Sequence, residues 1–281
     1  MSNEPEVGFI GLGDQGAPMA AAIAERFRLH AWARRDTSYA ALGDVPFTRH
    51  TTAVELAAAV SILCVCLRTD ADLTELLSNG VLDALPADAI VINHATGDPG
   101  EANGFRELCA AKGISFVDAP VSGGRPGALA RTLTCFVGTV PDILEKCRAV
   151  ISTHSKHVVH MGAAGTGQAA KLCNNALTVS NLRNIVEVFS IADAFGIEPA
   201  SLQKAFAHSS GGSFILDALG TKVTPEIASH IATLNRADVE EFAAAAKRRG
   251  RDVSELEAWA MGGAAGLVTA VNRLIKGQTY P

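Results

Sequence analysis

The sequence has no excess of positive charge. Its 24 Lys and Arg residues are outnumbered by 29 Asp and Glu residues, which gives a formal net charge of -5. A nucleic acid or an anionic membrane would require a basic face on the protein, so we expect neither as a partner. Any anion-binding site must therefore be built from a few local arginines and lysines.

The sequence also lacks a Cys-x-x-Cys pair, a basic signal-peptide start and an apolar run of membrane length. Its six cysteines lie mostly in apolar segments, which predicts buried thiols in a reducing compartment. We therefore expect a cytoplasmic protein. Because no G-x-S-x-G motif is present, a Ser-His-Asp hydrolase is unsupported.

The first half of the chain alternates short apolar runs with helix-like segments, and this rhythm predicts a doubly wound parallel sheet. The predicted strands are Val7–Ile10, Leu29–Ala33, Ser61–Leu67, Ala89–Asn93, Ser115–Val117, Leu133–Val137 and His157–Met161. The predicted helices between them are Ala17–Arg26, Thr52–Ala59, Gly104–Lys112 and Pro141–Ile151.

After Gly165 the alternation ends, and a long apolar-rich helix is predicted from Gln168 to Phe195, with Gly196 as its C-cap. Further helices are predicted at Pro199–Ala207, Pro225–Leu234, Asp238–Arg249 and Glu255–Ile275, the last interrupted by Gly262, Gly263 and Gly266. With 281 residues the chain fits two domains. We predict an α/β Rossmann-type doubly wound domain over residues 1–164. An all-α domain over residues 165–281 follows, joined to it by the long interdomain helix.

A glycine-rich turn directly follows the first predicted strand. It comprises Gly11, Leu12, Gly13, Asp14, Gln15 and Gly16. Placed between a strand and a helix, the G-x-G-x-x-G spacing is typical of a dinucleotide site, because its glycines admit the pyrophosphate and the helix N-terminus faces the anion. The alternative is a glycine turn that holds no ligand.

Two arginines follow the second predicted strand, where an acidic residue would bind the ribose hydroxyls of NAD. Arg34 and Arg35 would instead pair with the 2′-phosphate of NADP, so we expect NADP(H) in preference to NAD(H). In the alternative reading, both arginines are solvated and Asp36 holds the ribose.

A third glycine-rich stretch, Gly162–Asn175, ends an extended segment and opens the long helix. Lys171, Asn174 and Asn175 project from one face of that helix because of their i, i+3 and i+4 spacing. A cation beside neutral amides suits a small oxygenated anion, and a desolvated lysine can exchange protons near neutral pH. An ordinary solvated lysine is the alternative.

Together these motifs resemble the β-hydroxyacid dehydrogenase family over most of residues 7–250. The family's dinucleotide motif matches Gly8–Ala20, and its substrate motif Asp-Ala-Pro-Val-Ser-Gly-Gly is present unchanged at Asp118–Gly124. Its catalytic motif matches Gly162–Asn175. All three motifs occur in order, and the combination is far more specific than any one of them.

The resemblance implies a role for each of these sites. Lys171 would be the general acid/base. Ser122, Gly123 and Gly124 would hold the substrate carboxylate, while Asn174 and Asn175 would orient the substrate's oxygens. Cofactor contacts are implied at Leu67 and Arg68, where the predicted strand Ser61–Leu67 ends, and at Thr96, which the family places near the nicotinamide. Asp118 is expected to cap a turn rather than take part in chemistry.

The sequence departs from the family pattern at several positions. The family commonly has Ser-Thr-x-x-Pro around Thr96, whereas here His94 and Ala95 precede the threonine. Arg131 stands where a glycine is usual. Ala237 occupies the position of a lysine in the second domain of the family. Arg236 could substitute for that lysine, but neighbouring residues on a helix are rotated by about 100° around its axis, so its side chain would point elsewhere. The missing cation implies a substrate that is larger, less anionic or held differently.

His154, His157 and His160 recur every three residues, but this spacing in a strand segment does not converge on one ion, and no metal is expected. We therefore predict an NADP-dependent oxidoreductase that interconverts a hydroxyl and a carbonyl in a small carboxylate substrate. The cleft between the two halves would place the nicotinamide against Lys171. A homodimer or homotetramer is expected from the long apolar helix. An imine reductase of the same architecture and a non-catalytic NADP-binding module remain alternatives.

Overall fold

The structure is a computed structural model and describes residues 5–276. These residues fall into two compact units that divide between Lys171 and Leu172. The first unit is a Rossmann-type α/β domain and the second is helical, as predicted from the sequence. The division lies inside the long helix, a few residues beyond the predicted boundary.

The first unit is built on one sheet. Its strands are β1 (Val7–Ile10), β2 (Leu29–Trp32), β3 (Thr48–Arg49), β4 (Ile62–Val65), β5 (Ile90–Asn93), β6 (Ser115–Asp118), β7 (Val121–Ser122), β8 (Leu133–Gly138) and β9 (Ser155–Gly162). Their order is β3-β2-β1-β4-β5-β6-β8-β7, with β9 paired to β8. Strands β1 to β6 are parallel, whereas β8 is antiparallel to β6 and β7. Strands β2 and β3 are added on one side of β1, whereas β4, β5 and β6 are added on its other side. The strand order therefore reverses between β1 and β4, which is the switch point where such sheets bind ligands.

Helices of the first unit cover both faces of the sheet. They are α1 (Gly16–Ala24), α2 (Ala53–Ala58), α3 (Asp70–Leu76), α4 (Leu82–Ala84), α5 (Pro99–Ala110), α6 (Gly124–Leu129) and α7 (Pro141–Ile151). A 3₁₀ helix spans Asp36–Leu42, and a π-helical turn spans Leu77–Val81.

The central strands are apolar except for Asn93 at the end of β5, as expected of strands covered on both faces. Every residue of β1, β4 and β5 is buried. Alternate side chains enter two separate cores: Phe9 and Cys64 lie in one, while Ile10 and Leu63 lie in the other. All seven predicted strands are confirmed, with no end shifted by more than two residues.

Short elements and some helix ends were missed by the sequence reading. Strands β3 and β7 and helices α3, α4 and α6 were not predicted. Helix α5 begins at Pro99 rather than at Gly104, because the Asp98 side chain accepts hydrogen bonds from the N–H groups of Gly100 and Glu101 and Pro99 takes the first helical position.

The second unit continues α8 (Thr166–Ala194), the predicted long helix, and adds four more helices in the described residues. These are α9 (Pro199–Phe206), α10 (Phe214–Ala218), α11 (Pro225–Arg248) and α12 (Ser254–Lys276). Its main core surrounds Phe189, Leu216 and Leu267. Gly196 has a φ of 66°, as expected of a helix C-cap.

Two predictions for this unit were wrong. The segments Pro225–Leu234 and Asp238–Arg249 form one continuous helix, since the residues between them include no helix breaker. The glycines of α12 do not interrupt it. A Cβ at Gly263 would lie 2.3 Å from the carbonyl oxygen of Val179 on α8, and one at Gly266 would lie 2.8 Å from Val186. These glycines allow close helix packing instead.

Candidate active site

One row of paired residues crosses the sheet where its parallel strands end. Ile10 pairs with Val65, Val65 with Asn93, and Asn93 with Asp118. The row extends to Trp32 on one side and to Gly138 and Gly162 on the other. The segments that follow the five parallel strands of this row therefore begin along the same edge of the sheet. Strands β8 and β9 run in the opposite direction, and the segment after Gly162 is held at this row by its hydrogen bonds to Asp118.

Each motif singled out in the sequence follows a member of this row. In chain order they are Gly11–Gly16 after Ile10, Arg34 and Arg35 after Trp32, Leu67 and Arg68 after Val65, Thr96 after Asn93, Ser122–Gly124 after Asp118, and Lys171 after Gly162. The fold of the first unit thus brings six separate segments to one edge.

The glycine-rich turn has the three features that a dinucleotide site requires. Gly11 has a φ of 104°, and a Cβ there would lie 2.2 Å from the carbonyl oxygen of Cys66. A Cβ at Gly16 would lie 1.8 Å from the carbonyl oxygen of Gly11, so helix and strand are in close contact. A Cβ at Gly13 would meet nothing within 4 Å. Backbone beside open space at a helix N-terminus fits a pyrophosphate, whose charge the first-turn N–H groups would bind.

The other three residues of this turn differ in their exposure to solvent. Leu12 is buried, Asp14 is exposed and Gln15 stands at the N-cap of α1. Arg125, next to the predicted substrate loop, donates from its guanidinium to the carbonyl oxygen of Asp14 at 3.4 Å. The glycine turn and the predicted substrate loop are therefore neighbours in the first unit.

Arg34 and Arg35 are both exposed beyond the end of β2. Arg34 forms an ion pair with Asp72 (2.9 Å), and this partner raises the pKa of the guanidinium further and lowers the pKa of the Asp72 carboxyl. Asp36, the residue that would bind ribose in the alternative reading, is instead paired with Arg49 at 2.6 Å. Two exposed arginines therefore follow β2 at the edge of the sheet that carries the glycine-rich turn.

The loop after β4 holds Leu67, which is half-buried, and Arg68, which is exposed. Thr69 then caps α3 by accepting a hydrogen bond from the N–H of Asp72. The loop after β5 holds Thr96, also half-buried. A Cβ at the following Gly97 would lie 2.3 Å from the Asp70 carboxylate, so this loop is closely packed against the start of α3.

The predicted substrate loop starts from β7. Ser122 pairs with Thr134 of β8 and is half-buried. Gly123 and Gly124 have φ values of 131° and 61°, a backbone conformation that favours glycine. The two glycines turn the chain from the strand into α6, so the half-buried Ser122 hydroxyl stands directly before that turn.

Asp118 fixes the start of the helix that carries Lys171. Its buried carboxylate accepts hydrogen bonds from the N–H groups of Gly165 (2.8 Å) and Gln168 (2.9 Å). Burial raises the pKa of the carboxyl and these backbone donors oppose that rise. Asp118 was expected to cap a turn after its strand, but it caps the start of α8 instead, where its partner Gly165 lies 47 residues further along the chain. Lys171 follows in the next turn and is half-buried.

Gln168 is a buried residue that the sequence reading passed over. Its side-chain oxygen accepts a hydrogen bond from the N–H of Gly97 (2.9 Å), and its amide group donates to the carbonyl oxygen of Ala95 (2.8 Å). Both bonds reach the loop that carries Thr96. A polar residue three positions before Lys171, inside a glycine-rich helix start, was the only available signal.

Asn174 and Asn175 lie one turn beyond Lys171 on the same helix, as predicted. Asn175 is buried and Asn174 half-buried. The side-chain amide of Asn174 donates to the Asn175 side-chain oxygen at 3.3 Å. The two amides therefore adjoin each other at that helix position.

His94 and His154 form an unexpected buried pair. Their rings meet edge to face with centroids 4.9 Å apart, and the Nε2 atom of each has no hydrogen-bond partner among the described residues. Burial lowers the pKa of His94 to about 4 and that of His154 well below its ordinary value. Within residues 5–276, no three His, Cys, Asp or Glu side chains are placed to hold a metal.

Four of the six cysteines are buried, as expected. Burial raises the pKa of Cys109 and Cys147 to about 12. Cys173, by contrast, is exposed on α8. In the described part of the chain, no helix combines the length and the apolar character needed to cross a bilayer.

Comparison with known proteins decides the family. The sequence family of the NAD-binding domain of 6-phosphogluconate dehydrogenase matches residues 6–162. The sequence family described as the NAD-binding part of NADP-dependent 3-hydroxyisobutyrate dehydrogenase matches residues 165–235. The chain is 33% identical to 2-(hydroxymethyl)glutarate dehydrogenase of Eubacterium barkeri over 78% of its own length and 73% of that relative. The chain belongs to the β-hydroxyacid dehydrogenase family. It is an NAD(P)-dependent oxidoreductase of the class that acts on CH–OH groups.

Further relatives agree with this assignment. A 3-hydroxyisobutyrate dehydrogenase of Pseudomonas aeruginosa is 29% identical over 75% of this chain and 72% of that protein. The solved structure of 3-hydroxyisobutyrate dehydrogenase from Mycobacterium tuberculosis with L-serine has the same fold, with a TM-score of 0.85 at 24% identity over 97% of this chain and 99% of that one.

Against the β-hydroxyacid dehydrogenase pattern, one departure has a structural explanation. Arg131, where a glycine is usual, keeps a positive φ of 57° and pairs with Glu25. The left-handed backbone has therefore been retained without the glycine. Ala237, in place of the second-domain lysine, is exposed on α11, as is Arg236.

Proposed function

We propose that this β-hydroxyacid dehydrogenase interconverts a hydroxyl and a carbonyl in a small β-hydroxy acid or semialdehyde, with NADP(H) as the preferred cofactor. One observation carries the proposal. The Asp118 carboxylate attaches the first turn of α8 to the sheet edge that also carries the glycine-rich turn. The helix that presents Lys171 is thereby fixed to the same unit as the dinucleotide site.

Lys171 would act as the general acid/base of this reaction. Its ammonium would donate a proton to the carbonyl oxygen during reduction and take the proton back from the hydroxyl during oxidation. The bound cofactor supplies or accepts the hydride. Because Lys171 is only half-buried, its proton can be replaced from water after each turnover.

The substrate would be held by neutral groups together with that one cation. The Ser122 hydroxyl and the backbone N–H groups at Gly123 and Gly124 can bind a carboxylate without added charge. Asn174 and Asn175 would orient the remaining oxygens. The relatives named for 3-hydroxyisobutyrate and 2-(hydroxymethyl)glutarate support this substrate class.

The preference for NADP(H) rests on the end of β2. Arg34 and Arg35 can donate several hydrogen bonds to a 2′-phosphate, whereas the Asp36 carboxylate is engaged by Arg49. Arg34 would exchange its exposed partner Asp72 for the phosphate. A surface ion pair of this kind contributes only about 0 to 1 kcal/mol, so the exchange has a small cost.

Steady-state oxidation of NADPH against a panel of semialdehydes and keto acids tests the proposal. The panel includes the aldehydes that correspond to 3-hydroxyisobutyrate, 2-(hydroxymethyl)glutarate and serine. Turnover of at least one of them, faster with NADPH than with NADH, is expected. Tight NADPH binding with no turnover across the panel would indicate a non-catalytic binding module, and reduction of imines alone would indicate an imine reductase.

We also propose a cytoplasmic homodimer or homotetramer. Three large apolar side chains on α8 are exposed, Leu177, Val188 and Ile191, and Phe195 directly after the helix is 74% exposed. Apolar side chains grouped along one helix favour burial against another copy of the chain. Light scattering coupled to size-exclusion chromatography tests this, and a mass of 29.2 kDa, that of one chain, would contradict it.

A further inference from the structure

Gln168 connects two parts of the site that are distant in sequence. It lies three residues before Lys171 on α8, and its side chain bonds to both Ala95 and Gly97, more than 70 residues earlier. Thr96, for which a nicotinamide contact was inferred, lies between these two anchors. The Gln168 side chain therefore connects α8, which carries Lys171, to the loop 95–97 within the first unit. We call this loop the nicotinamide loop.

The contacts of Gln168 leave it little freedom. Only 1% of the residue is exposed. Its side-chain oxygen and nitrogen are both used, at 2.9 and 2.8 Å, and its own N–H is bound by Asp118. A side chain with one acceptor and one donor bond at opposite atoms is fixed in both position and orientation.

The loop is held from its other side as well. The N–H of Asp98 donates to the Asp70 carboxylate at 2.8 Å, and Gly97 is in close contact with that carboxylate. The loop therefore lies between Asp70 and Gln168, and Gln168 links it to the helix of Lys171.

We propose that Gln168 is a positioning residue, which sets the distance between the nicotinamide loop and the Lys171 ammonium through its paired hydrogen bonds to Ala95 and Gly97. The inference rests on the proposed function, since it concerns the alignment of hydride and proton transfer. Small errors in such alignment are costly, and a misplacement of about 1 Å can reduce a rate about 100-fold.

The test variant is Gln168→Met, which preserves the length and volume of the side chain but removes both hydrogen bonds. Gln203→Met is the matched control. Gln203 also makes two side-chain hydrogen bonds, donating to the carbonyl oxygens of Leu216 (2.7 Å) and Leu219 (2.9 Å), but it lies in the second unit. Both variants lose a pair of side-chain hydrogen bonds, so Gln203→Met shows the effect of such a loss away from the site.

In kinetic assays, Gln168→Met should lower kcat about 10- to 100-fold while KM for NADPH changes by less than about threefold. The isotope effect with 4-deuterated NADPH should increase, because hydride transfer becomes slower than product release. Gln203→Met should keep kcat within about twofold of the unmodified protein. Equal kcat values for the two variants would overturn the inference.

Hydrogen exchange of the cofactor-free protein gives a second readout. The Gly97 amide should exchange faster in Gln168→Met than in the unmodified protein or in Gln203→Met, because its acceptor has been removed. Unchanged exchange at Gly97 would overturn the inference. If Gln168→Met does not fold, the variant Gln168→Glu replaces it, since a carboxylate keeps the acceptor for Gly97 but repels the Ala95 carbonyl. The same loss of kcat is then expected, without the faster exchange at Gly97.

Lys171→Met separates this inference from the proposed function. An inactive Lys171→Met variant beside a fully active Gln168→Met variant would contradict only the positioning role. An active Lys171→Met variant, or absence of turnover in the unmodified protein, would overturn the proposed function and the positioning role together.

Discussion

The Asp118 carboxylate and the N–H of Gly165 are joined by a 2.8 Å hydrogen bond that links the end of a central strand to the start of α8. A negative side chain at a helix N-terminus is favourable because the first N–H groups have no partner within the helix. Here the pair is buried and connects two of the three motifs that identified the family. The substrate motif thus also holds the catalytic motif in place.

Asp118→Asn should therefore destabilise the protein. The amide keeps one acceptor, but its NH₂ group must face one of the two N–H donors, and a buried donor left unpaired costs about 1–3 kcal/mol. Urea unfolding measures the change. Asp98→Asn is the control, because Asp98 caps α5 at the surface, where asparagine caps about as well as aspartate. Equal effects of the two substitutions would contradict the account.

Gly13→Ala should weaken cofactor binding and leave the fold intact. A Cβ at this position enters open space beside the turn, where the pyrophosphate is expected, so the dissociation constant for NADPH should increase about 10- to 100-fold. Fluorescence titration measures it.

Gly104→Ala is the control for this substitution, since its Cβ is equally unobstructed but lies on α5. It should leave NADPH binding unchanged and stabilise the helix by about 0.5–1 kcal/mol. If Gly13→Ala bound NADPH as tightly as Gly104→Ala does, the pyrophosphate would not approach Gly13.

Replacement of Arg34 and Arg35 by alanine should change cofactor preference. Loss of charge-assisted bonds to the 2′-phosphate should lower kcat/KM for NADPH about 10- to 100-fold, with little change for NADH. Arg28→Ala is the control, because Arg28 is also an exposed arginine in an ion pair of the first unit. An equal decrease of kcat/KM for NADPH and for NADH would show that the arginines do not recognise the phosphate.

The buried pair of His94 and His154 should make the protein sensitive to acid. The pKa of His94 is lowered to about 4 in the folded state and is about 6.5 in an unfolded chain. The unfolded state therefore binds more protons below about pH 6.5, and stability falls as the pH decreases from there towards about 4.

His94→Leu removes one of these protonations, so the free energy of unfolding should change with pH less steeply, by about 1.4 kcal/mol per pH unit. Urea unfolding at pH 7, 6 and 5 measures the slope. His157→Leu, at an exposed histidine of β9, is the control. An unaltered slope in His94→Leu would contradict the account.

Much of the site could be predicted because its residues follow local rules. The apolar run Val7–Ile10 followed by Gly11 predicts a strand and a phosphate-binding turn with no knowledge of the remainder of the chain. The parallel order of β1, β4, β5 and β6 then places every following loop at one edge, so the segments containing Thr96 and Ser122 could be expected near the glycine turn.

The features that could not be predicted depend on contacts between distant segments. Nothing near Gln168 shows that its partners are Ala95 and Gly97, and nothing near His94 shows that it meets His154. Gly263 has the local pattern of a helix interruption, whereas its purpose is contact with Val179 on another helix. A local pattern cannot distinguish a glycine that breaks a helix from one that lets two helices approach.

The most direct test of the central claim is the kcat of Lys171→Met on a substrate that the unmodified protein turns over, measured alongside NADPH binding. We expect kcat to fall by at least about 100-fold, as for loss of a general acid/base, while the dissociation constant for NADPH stays within about threefold. A variant that binds NADPH normally and keeps kcat within about twofold would show that Lys171 does not transfer the proton.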